Sequence, residues 1–333
     1  MKKPEQVDTK ELNIGDRIIV PTKMPLFEKG DGTIDAYSEL LGFFIGDGTI
    51  LNLGKGKIIV DATIGTGGHS EEILGRILPG GRLIGIDEDD ESLEVCRERL
   101  KKFKGSCDFV HSNFADIDSA LKKLKIKKID GILFDLGVSS FQLGDPRRGF
   151  SFQNEGPLDM RLDRNSRILA YDLVNNLNEE ELSSMLWNFG QERWHNRIAR
   201  ALVSERERQP ILTTLQLANT ILRAMPYRYR HRYSRIHPAT RAFQAVRIAV
   251  NRELESLEAA LNKVAGLLNE GGRVCVISFH SLEDRIAKLS FRKFSQEGRL
   301  CIITPKPCSP SEEEIRVNPS SRSAKLRVAF KKR

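Results

Sequence analysis

The sequence lacks any long apolar run: no uninterrupted hydrophobic stretch approaches the roughly 18 residues needed to cross a membrane. Residues 1–8 contain no apolar core, so we expect no secretory signal. Cysteine is scarce, with 5 residues in 333 and no Cys-x-x-Cys pair, which argues against a zinc site and against a disulfide framework. These absences predict a metal-free protein of the reducing cytoplasm with no membrane partner.

Proline and glycine, at 13 and 26 residues, are too few for a fibrous or low-complexity chain. A hydrophobic content of 40% is too high for a disordered one. The length suggests about two domains. Lysine and arginine outnumber aspartate and glutamate by 53 to 45, a net charge of +8. This surplus permits a nucleic acid or an anionic membrane as partner, but a solvated basic surface explains it equally well.

Short β-branched runs alternate with helical patterns along much of the chain, which is typical of a parallel sheet with crossover helices. The predicted strands are residues 57–61, 82–87, 107–111, 131–135, 273–278, 300–304 and 325–330. Between 146 and 237 the apolar residues follow helical spacing instead, and arginine is frequent, so we interpret this stretch as a helical insertion. A long amphipathic helix is predicted over 239–268, ended by Gly271-Gly272.

We expect the last predicted strand to pair antiparallel with the strand before it. Seven strands that end in such a hairpin are the plan of the class I methyltransferase fold, a Rossmann-like α/β architecture. The plan differs at the last strand from a six-stranded dinucleotide-binding sheet.

Four features at strand ends predict a nucleoside-binding crevice. The first is the glycine turn Asp61-Ala-Thr-Ile-Gly-Thr-Gly-Gly-His69 after the first strand, which lets a ligand approach backbone N–H groups. The others are Asp87, placed to bind both ribose hydroxyls, then Asn113-Phe114, which could stack on an adenine, and Asp135. A dehydrogenase would use the same glycines and acid. The incomplete glycine pattern and the terminal hairpin favour S-adenosylmethionine, which needs no metal.

Several longer motifs go beyond the fold. They include Gly-Pro-Leu-Asp-Met-Arg at 156–161 and Ser-Phe-His-Ser-Leu-Glu-Asp-Arg within 277–285, and the full set covers 135–152, 156–161, 235–251, 277–285 and 318–327. From about residue 51 to the end, the chain resembles the bacterial small-subunit ribosomal RNA cytosine-N4 methyltransferases. The resemblance implies S-adenosylmethionine as methyl donor and a cytosine of the decoding region as acceptor.

The resemblance also assigns cofactor contacts: Gly67, Gly68, His69, Asp87, Phe114, Asp135 and Gln142. Gln142 and the role of His69 come from the family alone. The family implies a partner, the small ribosomal subunit or its RNA, and a helical domain inserted after the fourth strand. The sequence leaves the oligomeric state open, a homodimer included.

The chemistry calls for hydrogen-bond acceptors near the target amine, because the exocyclic amine of cytosine is conjugated and a poor nucleophile. Asp135 is the first candidate for orienting the amine or the donor. Asp159 and His280 are second choices. Each has a plainer interpretation: Asp159 as a loop carboxylate paired with Arg161, and His280 as a histidine at a helix start bonded to backbone.

The RNA-binding prediction rests on basic residues of the insertion and just after it: Arg193, Arg197, Arg228, Arg230, Arg232, His237 and Arg241. Single-stranded RNA is bound by cations that neutralise phosphates and by aromatic stacking surfaces. Tyr227, Tyr229 and Tyr233 interleave with the arginines, which favours RNA contact over a solvated charged face.

Residues 1–50 depart from the family. Residues 12–21 and 39–49, including Asp47, resemble a fragment of an intein that carries a LAGLIDADG endonuclease, across about residues 11–50. The fragment lacks the splicing nucleophile and a second endonuclease helix, so it should neither splice nor cut. A divergent family N-terminus with a leading helix at 38–44 is the alternative.

The predicted organisation is therefore an atypical segment (1–50), a cofactor-binding methyltransferase domain (51–145 and 238–333) and an inserted helical RNA-binding domain (146–237). Three rival functions stay open. They are a nicotinamide-dependent oxidoreductase, an RNA-binding relic whose catalysis is impaired by the replaced N-terminus, and a homing-nuclease remnant.

Overall fold

The computed structural model describes residues 54–230 and 237–332, without the side chains of Arg228 and Arg230. Residues 1–53, 231–236 and 333 lie outside the described residues. The predicted intein-like fragment, with Asp47, and the predicted RNA contact Arg232 therefore lie outside the described residues.

The described residues contain seven strands that join in one sheet. They are β1 (Ile58–Asp61), β2 (Arg82–Asp87), β3 (Cys107–His111), β4 (Ile129–Asp135), β5 (Leu268–Ser278), β6 (Leu300–Ile302) and β7 (Lys325–Lys331). Their order is β3-β2-β1-β4-β5-β7-β6, and β7 runs antiparallel to both β5 and β6. The predicted class I methyltransferase fold is confirmed by this order and by the terminal hairpin.

Successive side chains of the central strands enter two different cores, because strand residues alternate between the faces of a sheet. Val60 and Phe134 belong to the core on one face, and Ile59 and Leu133 to the core on the other. All four are fully buried. Strands buried on both faces are continuous apolar runs, which is why these segments stood out in the sequence.

Helices cover both faces of the sheet: α1 (Gly68–Ile77), α2 (Asp90–Arg99), α3 (Ile117–Lys123), α11 (Glu253–Leu267) and α12 (Ser281–Gln296). A short helix before β7, α13 (Glu312–Val317), has no buried residue. The apolar faces of α1 and α2 pack on one side, while α3, α11 and α12 pack on the other. Because these crossovers connect parallel strands, β1 to β4 all end at the same edge of the sheet.

Between β4 and α11 the chain is helical: α4 (Ser140–Gly144), α5 (Ala170–Asn176), α6 (Glu179–Gly190), α7 (His195–Arg206), α8 (Thr214–Ala224), α9 (Tyr227–Arg230) and α10 (Thr240–Asn251). These helices enclose an apolar core that includes Leu182, Leu202 and Phe243. Capping boxes begin α6 at Asn178 and α8 at Thr213, where the side chain of the cap accepts a backbone N–H.

The single helix predicted over 239–268 is wrong. The structure has two helices, α10 and α11, separated by Arg252 in the left-handed conformation with φ of 50°. The side chain of Asn251 donates to the carbonyl of Met160, which ties this break to a distant loop. Gly271 does not end a helix either, because it lies within β5, which begins at Leu268. Apolar periodicity runs through the break, so the sequence does not reveal it.

No helix within the described residues is long and apolar enough to span a membrane.

The central strand β4 provides a test of the core. Phe134 is fully buried and meets Phe114 edge-on with ring centroids 5.7 Å apart. We expect Phe134→Ala to lower the free energy of unfolding by about 3–5 kcal/mol, since it removes a large side chain from a packed core. Denaturant titration measures this. The control is Leu289→Ala, since Leu289 is 55% exposed, and its effect should stay within about 0.5 kcal/mol. Equal losses in both variants would contradict the description of the core.

Candidate cofactor and active site

A cavity opens at the carboxyl edge of the sheet, where the loops after β1, β2, β3 and β4 converge. Six of the seven predicted cofactor contacts line it: Gly68, His69, Asp87, Phe114, Asp135 and Gln142. The seventh, Gly67, caps the N-terminus of α1 just beside it. Residues far apart in the sequence are thus brought together as predicted, although their roles stay predictions.

The glycine turn approaches its surroundings closely. Gly67 has φ of +86°, and a Cβ there would lie 2.7 Å from the Sγ of Cys96. The N–H of Gly65 donates to Oδ2 of Asp87 at 2.8 Å, which fixes the turn against the end of β2. A side chain at Gly67 would therefore disturb both the turn and the helix start.

Asp87 lies at the end of β2, where its carboxylate faces the cavity. Its Oδ1 accepts the N–H of Asp89 at 3.0 Å. Burial raises the pKa of Asp87 to about 6, although the two backbone hydrogen bonds oppose that rise. The carboxylate is therefore mostly ionised at neutral pH, and its pKa lies close to physiological pH.

Asp135 is the last residue of β4, and hydrogen bonds fix both its backbone and its side chain. Its N–H donates to Oγ1 of Thr63 at 2.7 Å. Its Oδ2 lies 3.1 Å from Nε2 of His69, which fixes one side of the carboxylate. The other oxygen, Oδ1, is buried and has no hydrogen-bond partner among the described residues. A buried carboxylate oxygen without a donor is costly, so Oδ1 is an acceptor available to a bound molecule.

Asp61 supports this arrangement beneath the cavity. It is 1% exposed and accepts from Oγ of Ser70 at 2.7 Å. Burial raises its pKa, and the neighbouring His69 and Ser70 counteract the rise. Asp61 thus stabilises the first turn of α1 rather than facing a ligand.

Sequence reasoning missed several polar residues of the cavity wall: Glu88, Asn251, Glu253, Ser256 and Glu283. Burial raises the pKa of Glu88 to about 7. Only Glu88 carried a signal, because it follows Asp87 at a strand end. The other four come from α10, α11 and α12. Asn251 and Glu283 lie within the motifs at 235–251 and 277–285, but neither was predicted to be a site residue, and Glu253 and Ser256 lie outside the motifs.

His280 and Glu283 form a capping pair at the start of α12. Oε2 of Glu283 accepts the N–H of Phe279 at 2.8 Å and that of His280 at 3.2 Å. Nε2 of His280 lies 3.2 Å from Oε1 of Glu283. Burial opposes ionisation of Glu283, but His280, Arg247 and the backbone N–H of Phe279 together outweigh burial and lower the pKa of Glu283. The structure therefore gives His280 the plainer role stated above, at a helix start beside the cavity.

Glu253, His280 and Glu283 place possible metal ligand atoms within 4.8 Å of one another. However, both carboxylate oxygens of Glu253 accept from Arg247 at 2.8 Å, and the oxygens of Glu283 are bound as described. A guanidinium beside the cluster already supplies the positive charge, so the geometry is that of an ion-pair network.

Asp159 lies outside the cavity wall. Its two oxygens accept from Nε and Nη2 of Arg161 at 2.7 and 2.8 Å. Burial opposes ionisation of Asp159, but the hydrogen bonds from Arg161 prevail and lower its pKa. This bidentate pair is the plainer alternative, and the structure does not bring Asp159 together with Asp135.

The predicted RNA contacts occupy an exposed surface of the helical region. Arg193, Arg197, His237 and Arg241 are all exposed. Arg193 lies over the ring of Trp194 at 5.4 Å. Arg228 and Arg230 lie on α9, and their side chains are outside the described residues.

A chain of contacts links this surface to the cavity. Nη1 of Arg241 donates to the carbonyl of Gln191 at 3.3 Å. The side chain of Gln191 in turn accepts from Oγ of Ser281, the first residue of α12. These hydrogen bonds connect Arg241 to the helix start that adjoins the cavity.

Comparison with known proteins decides the family. The family model described as the MraW methylase family matches residues 48–332. The chain belongs to the MraW methylase family. Its curated relatives include the ribosomal RNA small subunit methyltransferase H of Halothermothrix orenii, 47% identical over 287 residues, which cover 82% of this chain and 91% of that protein. The protein of the same name from Clostridioides difficile is 45% identical over 296 residues, or 84% and 94% of the two chains.

Membership of the MraW methylase family confirms the resemblance seen in the motifs. It also confirms that the chain is a methyltransferase whose cofactor is S-adenosylmethionine. The residues present fit that group: a glycine turn in which a Cβ at Gly67 would clash with Cys96, and a strand-end carboxylate, Asp87, for a ribose.

Proposed function

We propose that this protein methylates the N4 amine of a cytosine in the decoding region of small-subunit ribosomal RNA, in the cytoplasm. The single observation that carries the proposal is Oδ1 of Asp135, a buried acceptor without a partner among the described residues, in the wall of the cofactor cavity. The curated relatives are named as methyltransferases of that RNA.

S-adenosylmethionine supplies the methyl group as an electrophile. Asp87 would bind the ribose hydroxyls of the cofactor, and Phe114 would pack against its adenine, since both residues line the cavity. Gly67 and Gly68 leave room for the backbone to approach the ligand, as the glycine turn allows. Gln142 lines the same cavity, and its Nε2 donates to Oδ2 of Asp89 at 2.7 Å.

Asp135 acts on the acceptor. Its free oxygen accepts an N–H of the cytosine amine, which orients the nitrogen lone pair and raises its nucleophilicity. As the methyl group moves to nitrogen, the carbon–sulfur bond of the donor would break and leave S-adenosylhomocysteine. The positive charge that would develop on the amine would be stabilised without reorganisation by a carboxylate already fixed by His69. The amine then loses a proton, which Asp135 is placed to accept. The catalytic roles predicted for Asp159 and His280 stay predictions, because neither residue has a position like that of Asp135.

Methyl transfer tests this proposal directly. Labelled S-adenosylmethionine is incubated with the protein and small subunits that lack the modification, and label in the RNA is counted. We expect label in the RNA, and retention of the protein on immobilised S-adenosylhomocysteine but not on NAD. Binding of both RNA and S-adenosylhomocysteine without label would favour the impaired relic. Retention on NAD alone would favour the oxidoreductase.

We also propose that the exposed basic surface binds the RNA and that the small ribosomal subunit, rather than a membrane, is the partner. Arg193, Arg241 and the stacked ring of Trp194 offer cations and an aromatic surface, which is the combination that binds single strands. Formation of a homodimer stays a prediction.

The double variant Arg193→Ala/Arg241→Ala is expected to weaken RNA binding about tenfold, because phosphate contacts are lost. The salt dependence should fall too, by about 0.7 in logarithmic slope for each contact to a single strand. Filter binding across a salt series measures both. Arg316→Ala is the control, since Arg316 is 79% exposed on α13. An unchanged salt slope in the double variant would contradict this surface.

A further inference from the structure

Arg148 is an arginine buried in the fold, with 1% of its surface exposed. Its Nη1 donates to Oδ2 of Asp89 at 2.8 Å and lies 3.4 Å from Oε2 of Glu91. Its Nη2 donates to the carbonyls of Arg161 and Leu162 at 2.9 and 3.0 Å. One guanidinium thus joins the loop after β2 to a loop that follows β4.

Asp89 connects Arg148 to Asp87, the carboxylate predicted to contact the cofactor. The N–H of Asp89 donates to Oδ1 of Asp87 at 3.0 Å. Oδ2 of Asp89, the atom paired with Arg148, also accepts from Nε2 of Gln142 at 2.7 Å. Two predicted cofactor contacts are therefore one hydrogen bond away from the Arg148 partner.

The Leu162 end reaches the opposite wall of the same cavity. Leu162 lines the cavity, and its N–H donates to Oδ1 of Asn251 at 2.7 Å. The N–H of Met160 donates to the carbonyl of Arg148 at 2.9 Å, so the loop is bound to Arg148 through backbone as well as side chain. Leu162 has no charge of its own, and its position depends on these contacts.

Burying a guanidinium is costly even when it is paired, and apolar residues of similar volume often stabilise a fold as well or better. A charge-neutralising role needs only one cation near Asp89. The two carbonyl contacts need the planar fork of arginine, which a lysine cannot reproduce.

We propose that Arg148 is a positioning residue that couples the cofactor side of the cavity, at Asp87 and Asp89, to the placement of loop 159–166 in the opposite wall. The expected effect on the rate of methyl transfer rests on the proposed function. An occupied cofactor site fixes Asp89, Asp89 fixes Arg148, and Arg148 holds Leu162 where the acceptor base must lie. Loss of the coupling therefore lowers the rate of methyl transfer more than cofactor affinity.

Three variants of the full-length protein test this: Arg148→Lys, Arg148→Met and the control Arg147→Met. Arg147 is the neighbouring arginine, 77% exposed and paired with Asp145. The measurements are thermal stability, the dissociation constant of S-adenosylhomocysteine, kcat and KM for RNA, and amide hydrogen exchange of residues 159–166 with and without S-adenosylhomocysteine.

In the wild type and in Arg147→Met, S-adenosylhomocysteine should slow exchange in 159–166. In Arg148→Lys, stability should fall less than in Arg148→Met, because the charge pair with Asp89 survives although the two carbonyl contacts are lost. Protection of the loop by S-adenosylhomocysteine should nevertheless be lost, and kcat should fall at least about tenfold while cofactor affinity changes less than about threefold. Arg148→Met should show the same losses and lower stability.

A wild-type kcat together with wild-type loop protection in Arg148→Lys would overturn the inference. A positive charge beside Asp89 would then be enough to maintain the site. If Arg148→Met does not fold, Arg148→Lys alone decides. The exchange experiment needs no activity. Loop protection in the wild type and not in Arg148→Lys, together with no methylation of RNA by the wild type, would support the coupling and reject the proposed function.

Discussion

Asp135→Asn is expected to lower kcat for RNA methylation about 100-fold or more, while RNA affinity stays unchanged. The substitution keeps the size of the side chain and removes its negative charge. The amine then meets a weaker acceptor, the developing positive charge loses its counter-charge, and the departing proton has no carboxylate to accept it. Single-turnover transfer of label from S-adenosylmethionine measures the effect on the chemical step.

A carboxylate at the other end of the sheet serves as the matched control. Asp108 lies near the start of β3 and pairs with Arg82 at 2.6 Å, away from the carboxyl edge. Asp108→Asn should retain wild-type kcat. A wild-type rate in Asp135→Asn would contradict the assignment, and so would an equal loss in both variants.

Asp87→Asn should weaken binding of S-adenosylhomocysteine about 100-fold, because two hydrogen bonds from ribose hydroxyls to a charged acceptor become bonds to a neutral one. The pH dependence follows from the pKa of about 6 that burial gives Asp87. Below that pKa the carboxyl is protonated and binds the ribose poorly. The wild-type affinity should therefore be constant at high pH and fall about tenfold between pH 7.5 and pH 5.

Glu88 also affects the pH dependence of S-adenosylhomocysteine binding, and the variant Glu88→Gln is the control. It lines the same cavity, and its pKa is raised to about 7. Glu88→Gln should remove any inflection near pH 7 and leave the fall near pH 6. Asp87→Asn should remove the fall near pH 6. Calorimetric titration across the pH range separates the two, and a fall that persists in Asp87→Asn would contradict the assignment to Asp87.

The parts of the site that follow strands were predictable from sequence. Asp87 and Asp135 end continuous apolar runs, and parallel strands bring their carboxyl ends to one edge. The glycine turn at 65–68 carried its own signal, since closely spaced glycines after a strand allow a ligand close to the backbone. The parallel sheet with its terminal antiparallel hairpin followed from the same alternation of strands and helices, whereas the order of the strands came only from the structure.

The parts that depend on tertiary packing were not predictable. Arg252 breaks a continuous apolar periodicity, and its left-handed conformation accompanies contacts made by Asn251 and Glu253 with other residues. Glu283 enters the cavity wall from a helix far along the chain. Arg148 appeared only as one arginine in a motif, because nothing local distinguishes a buried guanidinium from an exposed one such as Arg147.

The sequence ranked Asp135 above Asp159 but could not show what either side chain contacts. Asp135 begins the motif at 135–152, and Asp159 lies within the motif at 156–161. Geometry distinguishes them: Asp159 has both oxygens bound by Arg161, whereas Asp135 has one oxygen without a partner among the described residues. The sequence shows Arg161 two residues after Asp159, but whether the two form an ion pair depends on the fold.

Identification of the labelled nucleoside tests the central claim most directly. Small subunits that lack the modification are incubated with the protein and labelled S-adenosylmethionine, and the RNA is digested to nucleosides and separated by chromatography with mass detection. We expect the label in N4-methylcytosine, at a single position of the decoding region. Label in any other nucleoside, or no label although the protein binds S-adenosylhomocysteine and RNA, would contradict it.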